Sequence, residues 1–257
     1  MMDIKNKLFT VAILMCLPIS SAMAWGCDES RKIEKELDIS DIQKIKVEAG
    51  AGELSIKGVE ANGKIGIVAK LCASDEEILE KMDVVTKFED DYAGVATYIP
   101  KKWNGNYSAR IDLELTVPNS ASLDVRDSSG DLQVKNVANL KLVDSSGDLT
   151  VKNVTGQVEL TDSSGGIRLN RIGSVELTDS SGDIDAKDIE GDFTVLVDSS
   201  GDMDIESVKG NLLVKVDSSG SIYVDEIKGD FTVEKDGSGS IDYRDVGGEV
   251  SIPARKR

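Results

Sequence analysis

Seven near-copies of one string decide how this chain folds: DSSGDLQVKNV at 127–137, DSSGDLTVKNV at 144–154, DSSGGIRLNRI at 162–172, DSSGDIDAKDI at 179–189, DSSGDMDIESV at 198–208, DSSGSIYVDEI at 217–227 and DGSGSIDYRDV at 236–246. Their leading residues, Asp127, Asp144, Asp162, Asp179, Asp198, Asp217 and Asp236, are spaced by 17, 18, 17, 19, 19 and 19 residues. Five positions after each Asp stands Leu132, Leu149, Ile167, Ile184, Met203, Ile222 or Ile241. Seven after stands Val134, Val151, Leu169, Ala186, Ile205, Val224 or Tyr243, and ten after stands Val137, Val154, Ile172, Ile189, Val208, Ile227 or Val246. The residue between the first two sets varies freely: Gln133, Thr150, Arg168, Asp185, Asp204, Tyr223 and Asp242. That alternation is the period of a strand with one buried and one solvated face. A second turn follows, marked by Gly156, Gly173, Gly191, Gly210, Gly229 and Gly247-Gly248; glycine tolerates the backbone angles of tight turns.

A repeat this short does not make a propeller blade or a helical hairpin, but it suits one rung of a solenoid. At about 3.3 Å per residue the rung perimeter is roughly 56–63 Å. Equivalent residues then stack about 4.8 Å apart and the apolar columns become the core. The expected fold is all-β: a single-stranded parallel β-solenoid with rungs of 17–19 residues, right-handed by the usual rule for parallel crossovers. The next Asp stands six positions after the Gly turn in Gly156–Asp162 and Gly173–Asp179, but seven positions after it in Gly191–Asp198, Gly210–Asp217 and Gly229–Asp236. One inserted residue reverses the side-chain faces unless a bulge absorbs it, so the later rungs are predicted to carry a bulge or a wider corner.

Toward the N-terminus the pattern loosens. Lys44–Val47 and Glu53–Lys57, around Gly50 and Gly52, read as strands of a degenerate rung, with further strands at Lys64–Leu71, Val95–Ile99 and Ile111–Val117. Ser74-Asp75-Glu76-Glu77 has the form of a capping box, with Ser74 as N-cap, and predicts one short helix over about residues 75–83. Residues 25–120 thus form an irregular β region continuous with the regular repeats at 121–250, and 251–257 is a basic tail.

Ahead of all this, Lys5 and Lys7 precede the apolar run Leu8–Leu17, and Ser21-Ala22-Met23-Ala24 ends in a small-x-small pattern. This is the layout of a signal peptide, residues 1–24, cleaved between Ala24 and Trp25. Ten apolar residues are too few to span a bilayer, which takes about 20, and no other segment is a transmembrane candidate. The expected location is extracytoplasmic, in the periplasm or on the cell surface. Cys27 and Cys72 remain after cleavage, and an even pair in an oxidising compartment points to one disulfide.

The chain resembles the bacterial putative-adhesin family, a domain of unknown function built from β-strand repeats. The resemblance rests on Leu115-Thr116-Val117-Pro118, on Leu123-Asp124-Val125 and on the serial Ser-Ser-Gly-Asp-[Leu/Ile/Met] rungs, and spans roughly residues 40–250. It implies a single-stranded β-helix and an envelope or surface location, and it brings no catalytic residues.

The chemistry of the chain is narrow. A net charge of −17 with 47 acidic and 30 basic residues argues against a nucleic-acid partner. With no His there is no Ser-His-Asp or Cys-His catalysis. The stacked corners place seven Asp in one column, with Asp131, Asp148, Asp183 and Asp202 following the glycines. Like charges about 4.8 Å apart repel by about 0.9 kcal/mol in water and about 3.5 kcal/mol at an effective dielectric of 20. Three things answer that repulsion: Asx-turns accepting the amides two and three residues on, with Ser hydroxyls bonding along the column; Ca²⁺ held by Asp127, Asp144, Asp162, Asp179, Asp198, Asp217 and Asp236; or raised carboxyl pKa values. The expected function is that of a secreted or periplasmic, non-enzymatic adhesin, scaffold or binding module for an envelope or surface partner, protein or glycan, needing no cofactor. The alternatives are a Ca²⁺-responsive structural module and a polysaccharide-active lyase or hydrolase using Arg168 and Arg171. The basic, aromatic stretch with Lys101, Lys102, Trp103 and Tyr107 is the candidate contact loop.

Overall fold

The computed structural model describes residues 27–39, 42–60, 63–89, 91–101 and 107–254. The signal segment with its cleavage junction, Lys102 and Trp103 of the candidate contact loop, and residues 255–257 of the tail lie outside the described residues.

From residue 122 onward each rung has two sides. The first side is built by β9 (Leu132–Val137), the front half of β11 (Leu149–Thr161) and of β12 (Ile167–Asp179), then β13 (Ile184–Ile189), β15 (Met203–Val208), β17 (Ile222–Ile227) and β19 (Ile241–Val246). These stack in parallel, so that Leu132, Leu149, Ile167, Ile184, Met203, Ile222 and Ile241 form one column, and the residues two and five further on form two more. The second side is built by β8 (Ser122–Arg126), β10 (Asn139–Val143), the back halves of β11 and β12, β14 (Phe193–Asp198), β16 (Leu212–Val214), β18 (Phe231–Val233) and β20 (Val250–Ser251). One of its columns runs Leu123, Leu140, Val158, Val175, Phe193, Leu212 and Phe231. The other runs Val125, Leu142, Leu160, Leu177, Val195, Val214 and Val233. The inward residues up to β18 are almost fully buried and make one continuous core, while in the last rung Ile241, Val246 and Val250 are half-buried and Tyr243 is exposed. Each core residue is worth about 1.5–3 kcal/mol on burial, and none is buried by its own rung alone.

The uneven rung lengths have a simple physical reading. Between β11 and β12 the register slips after Val154, where Thr155-Gly156 oppose Gly173 alone. Between β12 and β14 it slips again after Leu177, where Leu196 is the extra residue. The 18-residue rung carries the first insertion, and the 19-residue rung that begins at Asp179 carries both. The predicted bulge is therefore present, and it has a partner at the Gly turn that counting residues toward the next Asp did not disclose.

The N-terminal end is built differently. β2 (Lys44–Glu48) and β3 (Leu54–Val59) form a rung, as expected, but it lies between two later ones. β2 pairs in parallel with β8 on one edge and β6 (Tyr92–Tyr98) on the other. β3 likewise sits between β9 and β7 (Ala109–Pro118). Outside them the sheets turn antiparallel. β4 (Lys64–Ala73) pairs with β7 and with β1 (Glu29–Asp38), and β5 (Asp83–Phe88) pairs with β6. Sequence reading did not find β1 and β5, whose charged residues mark them as sheet edges rather than core strands.

The helix is α1 (Glu76–Lys81), shorter than expected because Asp83 already belongs to β5. Its N-cap is Asp75, whose carboxylate accepts from the Ile78 amide at 3.2 Å, and not Ser74. Ser74 Oγ is taken by the Ser108 amide at 3.0 Å, which ties the end of β4 to the start of β7. Cys27 and Cys72 are joined by a disulfide that anchors the start of the described chain to β4. Among the described residues no helix is long and apolar enough to cross a membrane.

Candidate functional site

The repeated Asp-Ser-Ser-Gly corner is the most distinctive chemistry in the chain, and each of its residues has a separate job. The glycines, from Gly130 to Gly239, sit at φ between +116° and +143° and pack on one another. A Cβ on Gly182 would lie 1.8 Å from the Gly165 carbonyl oxygen, so no side chain fits. In the second to the sixth corner the second Ser donates its hydroxyl to the carbonyl of the first Ser one rung back: Ser146 to Ser128, Ser164 to Ser145, Ser181 to Ser163, Ser200 to Ser180 and Ser219 to Ser199, at 3.2–3.4 Å. This is the expected bonding along the column.

The corner Asp residues do not face solvent: Asp127, Asp144, Asp162, Asp179, Asp198 and Asp217 point inward and are 0–4% exposed. Asp236, in the last corner, is half-buried. The signal was available in the alternation. Leu123, Val125 and Asp127 share one parity, as do Leu140, Leu142 and Asp144, and Val175, Leu177 and Asp179. The bulge at Leu196 keeps that arrangement, since Val197 is turned out to 37% exposure and Asp198 stays inside.

Nor do the carboxylates form the expected turns throughout. Asp162 and Asp179 accept from the very next amide, those of Ser163 and Ser180, at 2.8 Å, and Asp198 accepts from Ser200 at 3.2 Å. Both oxygens of Asp127, Asp144 and Asp217 and one oxygen each of Asp162, Asp179 and Asp198 are buried without a well-aligned hydrogen-bond donor, although the nearby amides of Ser128, of Ser145 and Ser146, and of Ser218 and Ser219 hold Asp127, Asp144 and Asp217 down in part. Burial, which penalises the charged form, pushes Asp127 and Asp198 up to about 7, with repulsion from neighbouring Asp residues adding to it. The same causes push Asp179 and Asp217 to about 6, burial first; Asp144 likewise reaches about 6 and Asp162 moves upward. Among the described residues no group of three or more acidic or Cys side chains is arranged to hold a metal ion.

The four carboxylates after the glycines do face solvent and act as caps between rungs. Asp131, Asp148, Asp183 and Asp202 accept from the amides of Asp148, Gly166, Asp202 and Ser221, at 2.8–3.2 Å. A second set of caps, at the opposite turn, escaped sequence reading: Asn139, Asp192, Asn211 and Asp230 accept from the amides of Gln157, Asn211, Asp230 and Glu249. A third column was also missed. Nine positions after each corner Asp stands a residue with φ between +52° and +61°: Asn136, Asn153, Arg171, Asp188, Ser207, Glu226 and Asp245.

A family model described as Toastrack DUF4097 matches residues 81–254. The chain belongs to this family. The Toastrack match starts at the last residue of α1, so it takes in β5 through β20 and leaves out β2 and β3, the rung enclosed within the stack. Comparison with curated proteins gives no match. Among solved structures, the chain is similar to a putative lipid binding protein from Parabacteroides distasonis, at 18% identity, with 87% of this chain and 97% of that chain covered and a TM-score of 0.48. Putative adhesins from Bacteroides fragilis and Parabacteroides merdae each share 14% identity; they cover 86% and 87% of this chain and 96% and 97% of their own, with TM-scores of 0.36 and 0.38.

On this Toastrack frame the remaining candidate residues are scattered. Arg168 pairs with Asp148 at 3.3 Å, and Arg171 Nε donates to Asn153 at 2.6 Å. They serve the ladders between rungs rather than a shared pocket. Lys101 is exposed and borders a surface groove with Gly50, Ala51, Thr97, Tyr98 and Ile99. Tyr107 is half-buried, packs against the core and donates its hydroxyl to the Pro100 carbonyl at 2.7 Å, so its ring and hydroxyl are used internally.

Proposed function

We propose that this Toastrack protein is a non-enzymatic binding module of the cell envelope, exported by the segment 1–24, cleaved between Ala24 and Trp25, and displayed in the periplasm or on the surface. The observation that carries the reading is the internal use of the corner chemistry. Ser hydroxyls donate to neighbouring carbonyls and both arginines of the third rung are engaged by the rung before it. What varies from rung to rung is the outward column of the first side, Gln133, Thr150, Arg168, Asp185, Asp204, Tyr223 and Asp242. A rigid scaffold with a variable flat side is how solenoids generally meet partners. The partner is a protein or glycan; the net charge of −17 disfavours nucleic acid.

Capture from envelope extract with the exported chain tests this. A discrete partner should be retained, and Asp185→Lys/Asp204→Lys should lose it while the fold persists. Release of unsaturated uronides from acidic polysaccharides, abolished by Arg168→Ala, would replace the binding reading with an enzymatic one.

A further inference from the structure

We propose that the inward Asp file holds protons shared between neighbouring rungs, so that the stack takes up protons as it forms and is firmest in mild acid. The geometry comes first. Six consecutive corner carboxyls are buried, and a seventh, Asp236, has one buried oxygen without a donor. They follow one another at the rung spacing of about 4.8 Å, and backbone β-bridges pair Asp198 with Asp217 and Asp217 with Asp236. Asp236, next in the file, pushes the Asp217 carboxyl further up, after burial.

Among the described residues nothing positive offsets the file. The charged groups acting on its members are other members: Asp144 on Asp127, Asp162 on Asp144 and Asp179, Asp179 and Asp217 on Asp198, and Asp236 on Asp217. The strands that meet at each corner contribute apolar neighbours, such as Val125 and Leu132 at Asp127 and Leu177 and Ile184 at Asp179, all buried. The file stops at Ala49, which occupies the Asp position in the β2–β3 rung and donates its amide to Arg126 O at 2.8 Å, as Asp127 does to Val143 O at 2.9 Å. At the other end Lys235, beside Asp236, is exposed. An isolated buried carboxylate costs several kcal/mol, and protonation relieves that cost. A protonated Asp then supplies the O–H donor that the orphaned oxygens of its neighbour lack.

The sign follows from linkage. An unfolded Asp titrates near about 4, whereas Asp144, Asp179 and Asp217 are pushed to about 6 and Asp127 and Asp198 to about 7. Between those values the folded chain holds more protons than the unfolded one, so stability falls as pH rises through 6–7 and is flat below about 4.

Denaturant unfolding of the exported chain between pH 4.5 and 8.5, with EDTA present, reads this directly. The folded-to-unfolded ratio should fall at least about tenfold between pH 5 and pH 8, and Asp144→Asn/Asp179→Asn should flatten that slope. Asp131→Asn/Asp183→Asn, in the solvent-facing caps, should leave the slope as it is. Carboxyl ¹³C titration of the unmodified protein gives a second readout that requires no variant to fold: file resonances should have midpoints above 5.5. Midpoints below 5, or a slope unchanged by the file substitutions, would overturn the proposal. So would full recovery of stability at pH 8 on adding millimolar Ca²⁺, which would make the file a cation site.

Discussion

The two ends of this molecule solve the same problem in opposite ways. From β8 onward every strand finds a parallel neighbour of nearly the same sequence, and the ladders of Ser, Gly, Asp and Asn repeat with it. Around β1, β4 and β5 there is no repetition. The sheets turn antiparallel, a helix is capped by a single Asp, and a disulfide ties β4 to the start of the described chain. The contrast teaches that stacking makes a stable interior but leaves open sheet edges, and edges have to be finished with strands whose charge discourages further pairing. The repeat is cooperative by similarity; the cap is held by individual contacts.

The largest test of this contrast lies inside the stack. Phe193→Ala removes a fully buried ring from the second-side column and should cost about 3–5 kcal/mol. Denaturation should show the loss spread over β12 to β18 as one transition; loss of protection confined to one rung would show that rungs act singly. Next comes the cap. Cys27→Ser/Cys72→Ser opens a link between residues 45 apart and should cost about 2–4 kcal/mol. Hydrogen exchange should quicken in β1 and β4 and stay unchanged in β13 to β18; equal quickening throughout would erase the distinction between the two ends. Asp75→Ala removes the only side-chain cap of α1 among the described contacts and should cost about 1 kcal/mol, again read as a local change near the cap. The smallest effect returns to the repeat. Glu226 holds φ +56°, a conformation that Asn tolerates better. Glu226→Asn should therefore stabilise the stack by about 0.5 kcal/mol, measured as a shift in denaturation midpoint, and a loss instead would mean that the Ser207–Glu226 hydrogen bond outweighs the backbone relief.

The regular part was readable because its signal is redundant. Leu132, Val134 and Val137 recur at fixed offsets, so a chance match in one rung is corrected by the others. The inward turn of the Asp residues was readable too, from the parity shared by Val125 and Asp127, but solvation chemistry argues the other way for any single carboxylate and it prevails when residues are weighed one at a time. What could not be read was the order of stacking at the N-terminal end. Strand pattern tells which face of β2 is buried, but both β6 and β8 offer it an equally suitable parallel edge. The positive-φ column escaped for a different reason. Arg171, Ser207 and Glu226 carry no local mark of that conformation, and it is imposed by the corner geometry that Asn136 and Asn153 suit by themselves.

The enclosed rung also sets a timetable. β2 and β3 leave the ribosome long before either of their parallel neighbours exists, and they acquire both only once β9 has followed, near residue 137. Until then the early segment must persist without its final contacts. Every rung after that point arrives at a finished template and can be added as it emerges. Lengthening by duplication is accordingly open to the repeats beyond β9 and closed to the first rung, which is locked between neighbours encoded downstream of it.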